Sequence, residues 1–166
     1  MLVMGIDPGI ERTGVSILSS NETGKIELIF SKLIKTKSDL SHSKRLMNLY
    51  DELCNIIRSY NIDYASVEKL FFAKNVKTAM VVSEARGVIL LAIEKSGIKI
   101  FEYTPLQVKQ AIVGYGRSSK KQIESLIKMI LKDSTIEAQD DVIDSMAIAI
   151  THINSNKLFL KIKINE

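Results

Sequence analysis

The chain has 166 residues, 46% hydrophobic and 25% charged, a size and balance that fit one globular domain with a sizeable core and exclude disordered and fibrous classes. No apolar run reaches the ~18 residues a bilayer span needs, and the amino-terminal stretch lacks the basic flank and cleavage pattern of a signal peptide, so the expectation is a cytoplasmic protein with no membrane partner. A net charge of +4 permits nucleic-acid binding without arguing for it, but lysine and arginine gather in residues 109–132 and 157–163 while carboxylates gather at 139–144.

Leu2 to Ile6 is a short apolar run stopped by Asp7-Pro8-Gly9, which predicts a buried strand ending in a turn. Gly14 to Ser19 and Lys25 to Ile34 predict two more strands, joined through the turn residues 21–24, so the chain opens as an antiparallel meander. Leu46, Leu49, Tyr50, Leu53, Ile56 and Ile57 then recur at helical spacing, predicting a helix between Ser38 and Tyr60 that covers one face of the sheet. Cys54, the single cysteine, lies in that stripe and reads as core, and one cysteine builds neither a disulfide framework nor a metal cluster. Asp63 to Phe72 predicts a strand, Asn75 to Ser96 a long helix stopped by Gly97, and Lys99 to Thr104 a further strand. A short helix follows Pro105, then a loop over residues 114–119, and helices over roughly 120–132 and 139–154. The order predicts an α/β fold, a mixed five-stranded sheet of three antiparallel and then parallel strands with helices on both faces. The carboxyl ends of the first and fourth strands then lie side by side, where such sheets place their sites. Residues 1–156 read as one domain, and 157–166 as a basic tail.

Four acids fall at or near that edge. Asp7 ends the first strand, where the plain alternative is an Asx-turn residue before Pro8-Gly9. Glu68 lies in a strand whose neighbours look buried, and a carboxylate there costs several kcal/mol unless paired or metal-bound; the alternative is an edge-strand charge beside Lys69. Asp141 and Asp144 share a face at i and i+3, ~4.5 Å apart along the axis. First-turn acids can merely complement the helix dipole, but Met146 to Ile150 is apolar nearly all round, so this helix is buried and its acids want a counter-charge. Periodicity allows Asp140 with Asp144 as well as Asp141 with Asp144. Two such carboxylates ~4 Å apart repel by ~4 kcal/mol at an effective dielectric of ~20, and an all-oxygen set selects a hard cation, Mg²⁺ or Mn²⁺, over zinc. Two such ions ~3.5 to 4 Å apart suit in-line hydrolysis of a phosphodiester.

The chain carries, in order, Met4-Gly5-Ile6-Asp7-Pro8-Gly9 with Thr13-Gly14, residues 67–75 beginning Val67-Glu68-Lys69, and Glu84-Ala85-Arg86-Gly87. Gln107-Val108-Lys109-Gln110, Gly114-Tyr115-Gly116 and Asp141-Val142-Ile143-Asp144-Ser145-Met146 follow. By these motifs the sequence resembles the RuvC family of Holliday junction resolvases, with its RNase H-like fold, over nearly all of residues 1–156. The resemblance implies that Asp7, Glu68, Asp141 and Asp144 are the catalytic acids and the ligands of two Mg²⁺ ions, with Mn²⁺ able to substitute. It also assigns a base-contacting aromatic to Phe71, although strand alternation puts Phe72 on the side of Glu68, and phosphate-contacting lysines to Lys109 and Lys120. Lys121, beside the glycine-bearing loop, and Arg117, within it, suit further DNA contacts. The implied function is a structure-selective endonuclease that cuts four-way junction DNA by paired symmetric nicks in recombination and repair, as a homodimer, beside a RuvAB-type branch-migration complex.

A dimer matches the two-fold symmetry of a four-way junction, and the helix of residues 75–96 carries apolar surface for it. The same surface also fits a helix buried on both sides within one monomer. Among rivals, Asp7-x-Gly9 with Gly14 also resembles the phosphate loop of actin-like kinases, but one domain lacks their second half. An inert nucleic-acid-binding module conflicts with an anionic pocket that repels DNA. Another RNase H-like nuclease, RNA-directed or YqgF-type, keeps the site and changes the substrate.

Overall fold

Alternation within the first strand decides which residues meet which layer. In β1 (Leu2–Asp7), Met4 and Ile6 point to one face, and Val3, Gly5 and Asp7 to the other. The computed structural model describes residues 1–69, 76–114, 119–133 and 139–164, with side chains described over 1–69, 79–114, 119–133 and 139–156. β2 (Arg12–Ser20) and β3 (Ile26–Lys35) complete the antiparallel meander, and Gly24, at φ 87°, supplies the left-handed residue of the connecting turn. β4 (Tyr64–Glu68) and β5 (Lys99–Tyr103) add in parallel on the other side of β1, giving the order β3-β2-β1-β4-β5. This is the mixed sheet expected from the order of elements.

The register pairs Gly5 with Ser66 and Ile6 with Val67, so Asp7 and Glu68 end adjacent parallel strands at the same edge. β4 lies inside the sheet, between β1 and β5, which removes the reading of Glu68 as an edge-strand charge. The strand also stops at Glu68, short of the expected Phe72. Phe71 and Phe72 lie outside the described residues.

One face is covered by α1 (His42–Ser59) and α2 (Val76–Lys95), which bury Leu49, Leu53, Ile89 and Ile93 against Met4, Ile6, Val15, Ile17 and Val67. Cys54 is buried in this layer. α2 is buried on one side only: Ala85, Ile89, Ala92 and Ile93 face the core, while Met80 (61% exposed) and Leu91 (55%) do not.

The opposite face holds α3 (Pro105–Val113), α4 (Lys120–Leu131) and α5 (Asp140–Ile164). Two capping boxes start the shorter pair: Thr104 with Gln107 for α3, helped by Pro105, and Ser119 with Gln122 for α4. α5 packs on the sheet with α3 and α4 over it, and its all-apolar stretch Met146–Ile150 is fully buried as a result. Beneath its far end His152 stacks among Tyr64, Phe101 and Tyr103, its Nδ1 hydrogen-bonded to the Tyr103 hydroxyl at 2.9 Å. The helix continues across residue 156, where the tail was expected to begin, because no glycine or proline stands between Asn154 and Ile164 to end it. Among the described residues no helix is long and apolar enough to cross a membrane.

Two glycines set the depth of α5. A Cβ on Gly5 would sit 2.0 Å from the Ser145 carbonyl oxygen, and one on Gly14 would sit 1.8 Å from that of Asp141. The first turns of α5 therefore lie directly on the backbone of β1 and β2, a position that any side chain at these two sites would deny.

Candidate active site

The close approach at Gly14 brings the start of α5 over the carboxyl end of β1, so acids from three elements share one pocket. Asp7 is largely buried there and its carboxyl is pushed up to about 8, first by desolvation, then by the negative charges of Glu68, Asp144 and Asp141, with Lys120 offsetting part. Burial and the Asp144 charge raise Glu68 above the usual carboxylate range, against the opposing pull of Lys109. Burial also raises Asp144, where Lys120 and Lys109 act against Asp140 and Asp141. The three couplings describe one anionic cluster with lysines at its rim.

The helix phase separates the two neighbouring aspartates that periodicity left equivalent. Asp140 is 75% exposed and pairs outward with Lys120 at 3.2 Å, whereas Asp141 is 24% exposed and its charge reaches Asp7. Lys120 also stands 4.0 Å from Asp144. Lys109, half-buried on α3, faces Glu68 and Asp144. Lys121 is exposed on α4 and is not among the charges acting on Asp7, Glu68 or Asp144. Phe71 and Arg117 lie outside the described residues.

Two arginines that contact the site residues had no role assigned from the sequence. Arg12, at the start of β2, donates from Nε at 2.8 Å and from Nη2 at 2.5 Å to Oδ2 of Asp141, and from Nη2 at 3.0 Å to Oε1 of Gln139. Its place was visible only as the residue before Thr13-Gly14, with nothing in the spacing to pair it with position 141. Arg86 lies in a motif already quoted, but its partner is a backbone group. From α2, on the other face of the sheet, its Nε donates to the Glu68 carbonyl at 3.2 Å while its guanidinium pairs with Glu102 of β5. Arg86 thus ties the ends of β4 and β5 together beneath Glu68.

The donors suit a hard divalent cation in kind, being carboxylate oxygens in an electronegative pocket with no thiol. Among the described residues no three carboxylate, imidazole or thiol groups are gathered to share one ion as the side chains stand. Closing such a set calls for side-chain rotation.

A family model described as "Crossover junction endodeoxyribonuclease RuvC" matches residues 3–152. The chain belongs to the RuvC family. Among RuvC relatives, one from Caldicellulosiruptor saccharolyticus, named crossover junction endodeoxyribonuclease RuvC, is 48% identical over 160 residues, 96% of each chain. A solved RuvC from Thermus thermophilus superposes with a TM-score of 0.88 at 28% identity, covering 95% of this chain and 96% of that one. A second T. thermophilus RuvC structure, in complex with Holliday junction substrate, gives 0.87 at 25% identity over the same shares. The RuvC family consists of metal-dependent nucleases, and this chain is an endodeoxyribonuclease of that kind. Its five-stranded sheet with helices on both faces is the RuvC version of the RNase H-like architecture.

Proposed function

We propose that the chain resolves four-way DNA junctions by paired symmetric nicks, with Asp7, Glu68, Asp141 and Asp144 as its catalytic acids. The observation that carries this reading is the convergence of acids from β1, β4 and α5 in one partly buried cluster whose charges raise one another's proton affinity. These four residues would hold Mg²⁺, two ions per site, with Mn²⁺ able to substitute. The ions, when bound, supply an activated water and a charge on the leaving oxygen of the phosphodiester. The protein's own part is to place the substrate. Lys109 and Lys120, beside the acids, meet phosphates flanking the cut, and Lys121 and Arg117 are assigned further DNA contacts. Phe71 is the aromatic assigned to the bases at the junction centre.

One pocket cuts one strand, so symmetric resolution calls for two chains. The outward stripe of α2, with Met80 and Leu91 exposed, supports a homodimer built on that helix. We place the enzyme in the cytoplasm, acting with a RuvAB-type branch-migration complex, and read residues 1–156 as the nuclease unit. Cleavage of a labelled four-way junction beside linear duplex and RNA–DNA hybrid, with Mg²⁺ and with chelator, tests the reading. Paired symmetric nicks in the junction alone, lost on chelation, are expected. Cutting of the hybrid instead would move the activity to another RNase H-like branch, and no cutting would leave a binding module.

A further inference from the structure

The Arg12–Asp141 contact is unusual in its direction. Both donors converge on the same oxygen, Oδ2, and Gln139, just ahead of α5, accepts a third bond from the same guanidinium. An oxygen that already accepts two charge-assisted bonds has little lone-pair density left for a cation. Arg12 is 41% exposed at the mouth of the pocket, so its head can leave Asp141 for another anion without unpacking the core. Of the acids acting on Asp7, Asp141 is the weakest contributor, after Glu68 and Asp144, as befits a carboxylate drawn toward the rim.

We propose that Arg12 is a built-in counter-ion that competes with the divalent cation for Asp141. While the guanidinium holds Oδ2, that oxygen is withheld from the ligand set and the carboxylate's pull on a cation is partly neutralised. An incoming phosphate offers Arg12 an alternative anion with a matching fork of oxygens, so docking of the DNA backbone frees Asp141 and favours completion of the set. Metal loading is thereby coupled to substrate. The inference rests on the reading of Asp141 as a ligand.

The test is Mn²⁺ binding to the DNA-free protein, followed by the electron paramagnetic resonance signal of free Mn²⁺, in wild type, Arg12→Ala, Arg12→Lys and Asp7→Asn. Far-ultraviolet circular dichroism of each variant establishes that it is folded. Arg12→Ala is expected to bind Mn²⁺ about two- to fivefold more tightly, the range an exposed ion pair supports. Arg12→Lys, a point charge without the fork, is expected to fall between. If Arg12→Ala binds equally or more weakly while Asp7→Asn loses affinity, the site stands and Arg12 supports the ligand set instead of competing with it, which overturns the proposal. If Asp7→Asn binds as the wild type does, the metal site itself lies elsewhere and the reading beneath the proposal falls.

Discussion

Asp7 holds its proton up to about pH 8 because desolvation and three neighbouring acids oppose its charge. An unfolded chain releases that proton near pH ~4. Between those values the folded state binds more protons than the unfolded one, so the contribution of Asp7 to stability falls as pH rises from about 4 to about 8 without divalent cation. Asp7→Asn removes the ionisation and keeps the shape. The variant should therefore be more stable than wild type in chelator at pH 8 by on the order of a few kcal/mol, seen as a higher melting temperature, with the gap closing toward pH 5 and on addition of Mg²⁺. Equal melting temperatures at pH 8 would mean that Asp7 is not in a desolvated acidic cluster. The same variant should lose cleavage by about a thousandfold or more while its junction affinity in Ca²⁺ stays nearly unchanged, since charge is what holds the ion. For the paired aromatics, Phe71→Ala should lose about tenfold more cutting than Phe72→Ala, the scale of one base-stacking contact; the reverse ranking would transfer the base contact to Phe72.

Between elements, the site depends on how far α5 sinks into the sheet. The acid pattern itself was legible in the sequence: Asp7 before Pro8-Gly9, Glu68 at a strand end, and two aspartates at helical spacing. Spacing alone did not choose between Asp140 and Asp141, a choice the family resemblance supplied, because it depends on the rotational phase of α5 against β1 and β2. That phase follows from the contacts at Gly5 and Gly14. Arg12 escaped for the same reason, since its partner is 129 residues away in sequence, and a pairing of that separation leaves no local spacing to read. Gly14→Ala places a methyl group where the Asp141 carbonyl oxygen lies, and the helix must lift. We expect about 2 kcal/mol or more of destabilisation in urea titration, near the upper part of the overpacking range, together with a large loss of cleavage. Wild-type cleavage by this variant would mean that the depth of α5 does not set the site.

At the scale of the whole molecule, the two faces of the sheet divide the labour. The face of α3, α4 and α5 carries the clustered acids with Lys109 and Lys120, and each face holds a buried hydrophobic cluster of its own among the described residues. On the outward stripe of α2, Met80 and Leu91 are exposed, and a Cβ added at Gly87 between them would meet nothing within 4 Å. A glycine in an exposed helix interior costs about 0.5 to 1 kcal/mol relative to alanine, and close approach of a second α2 would give it a use. Leu91→Arg should therefore convert the protein to monomers in sedimentation velocity and replace paired nicks with slow single nicks. An unchanged sedimentation coefficient would count against a dimer built on α2.

By itself the sequence determined the element types and their order, because apolar periodicity, capping residues and turn residues act within a few positions of one another. It also bounded the chemistry available, since carboxylates without clustered cysteine or histidine favour a hard cation. The tertiary structure alone decided where β4 ends within the described residues, that the charge of Asp141 is the one of the 140–141 pair that acts on Asp7, and that two arginines hold the Asp141 carboxylate and the Glu68 carbonyl. Each of these depends on packing between segments far apart in the chain, where the deciding force is a steric or electrostatic contact and not a local preference.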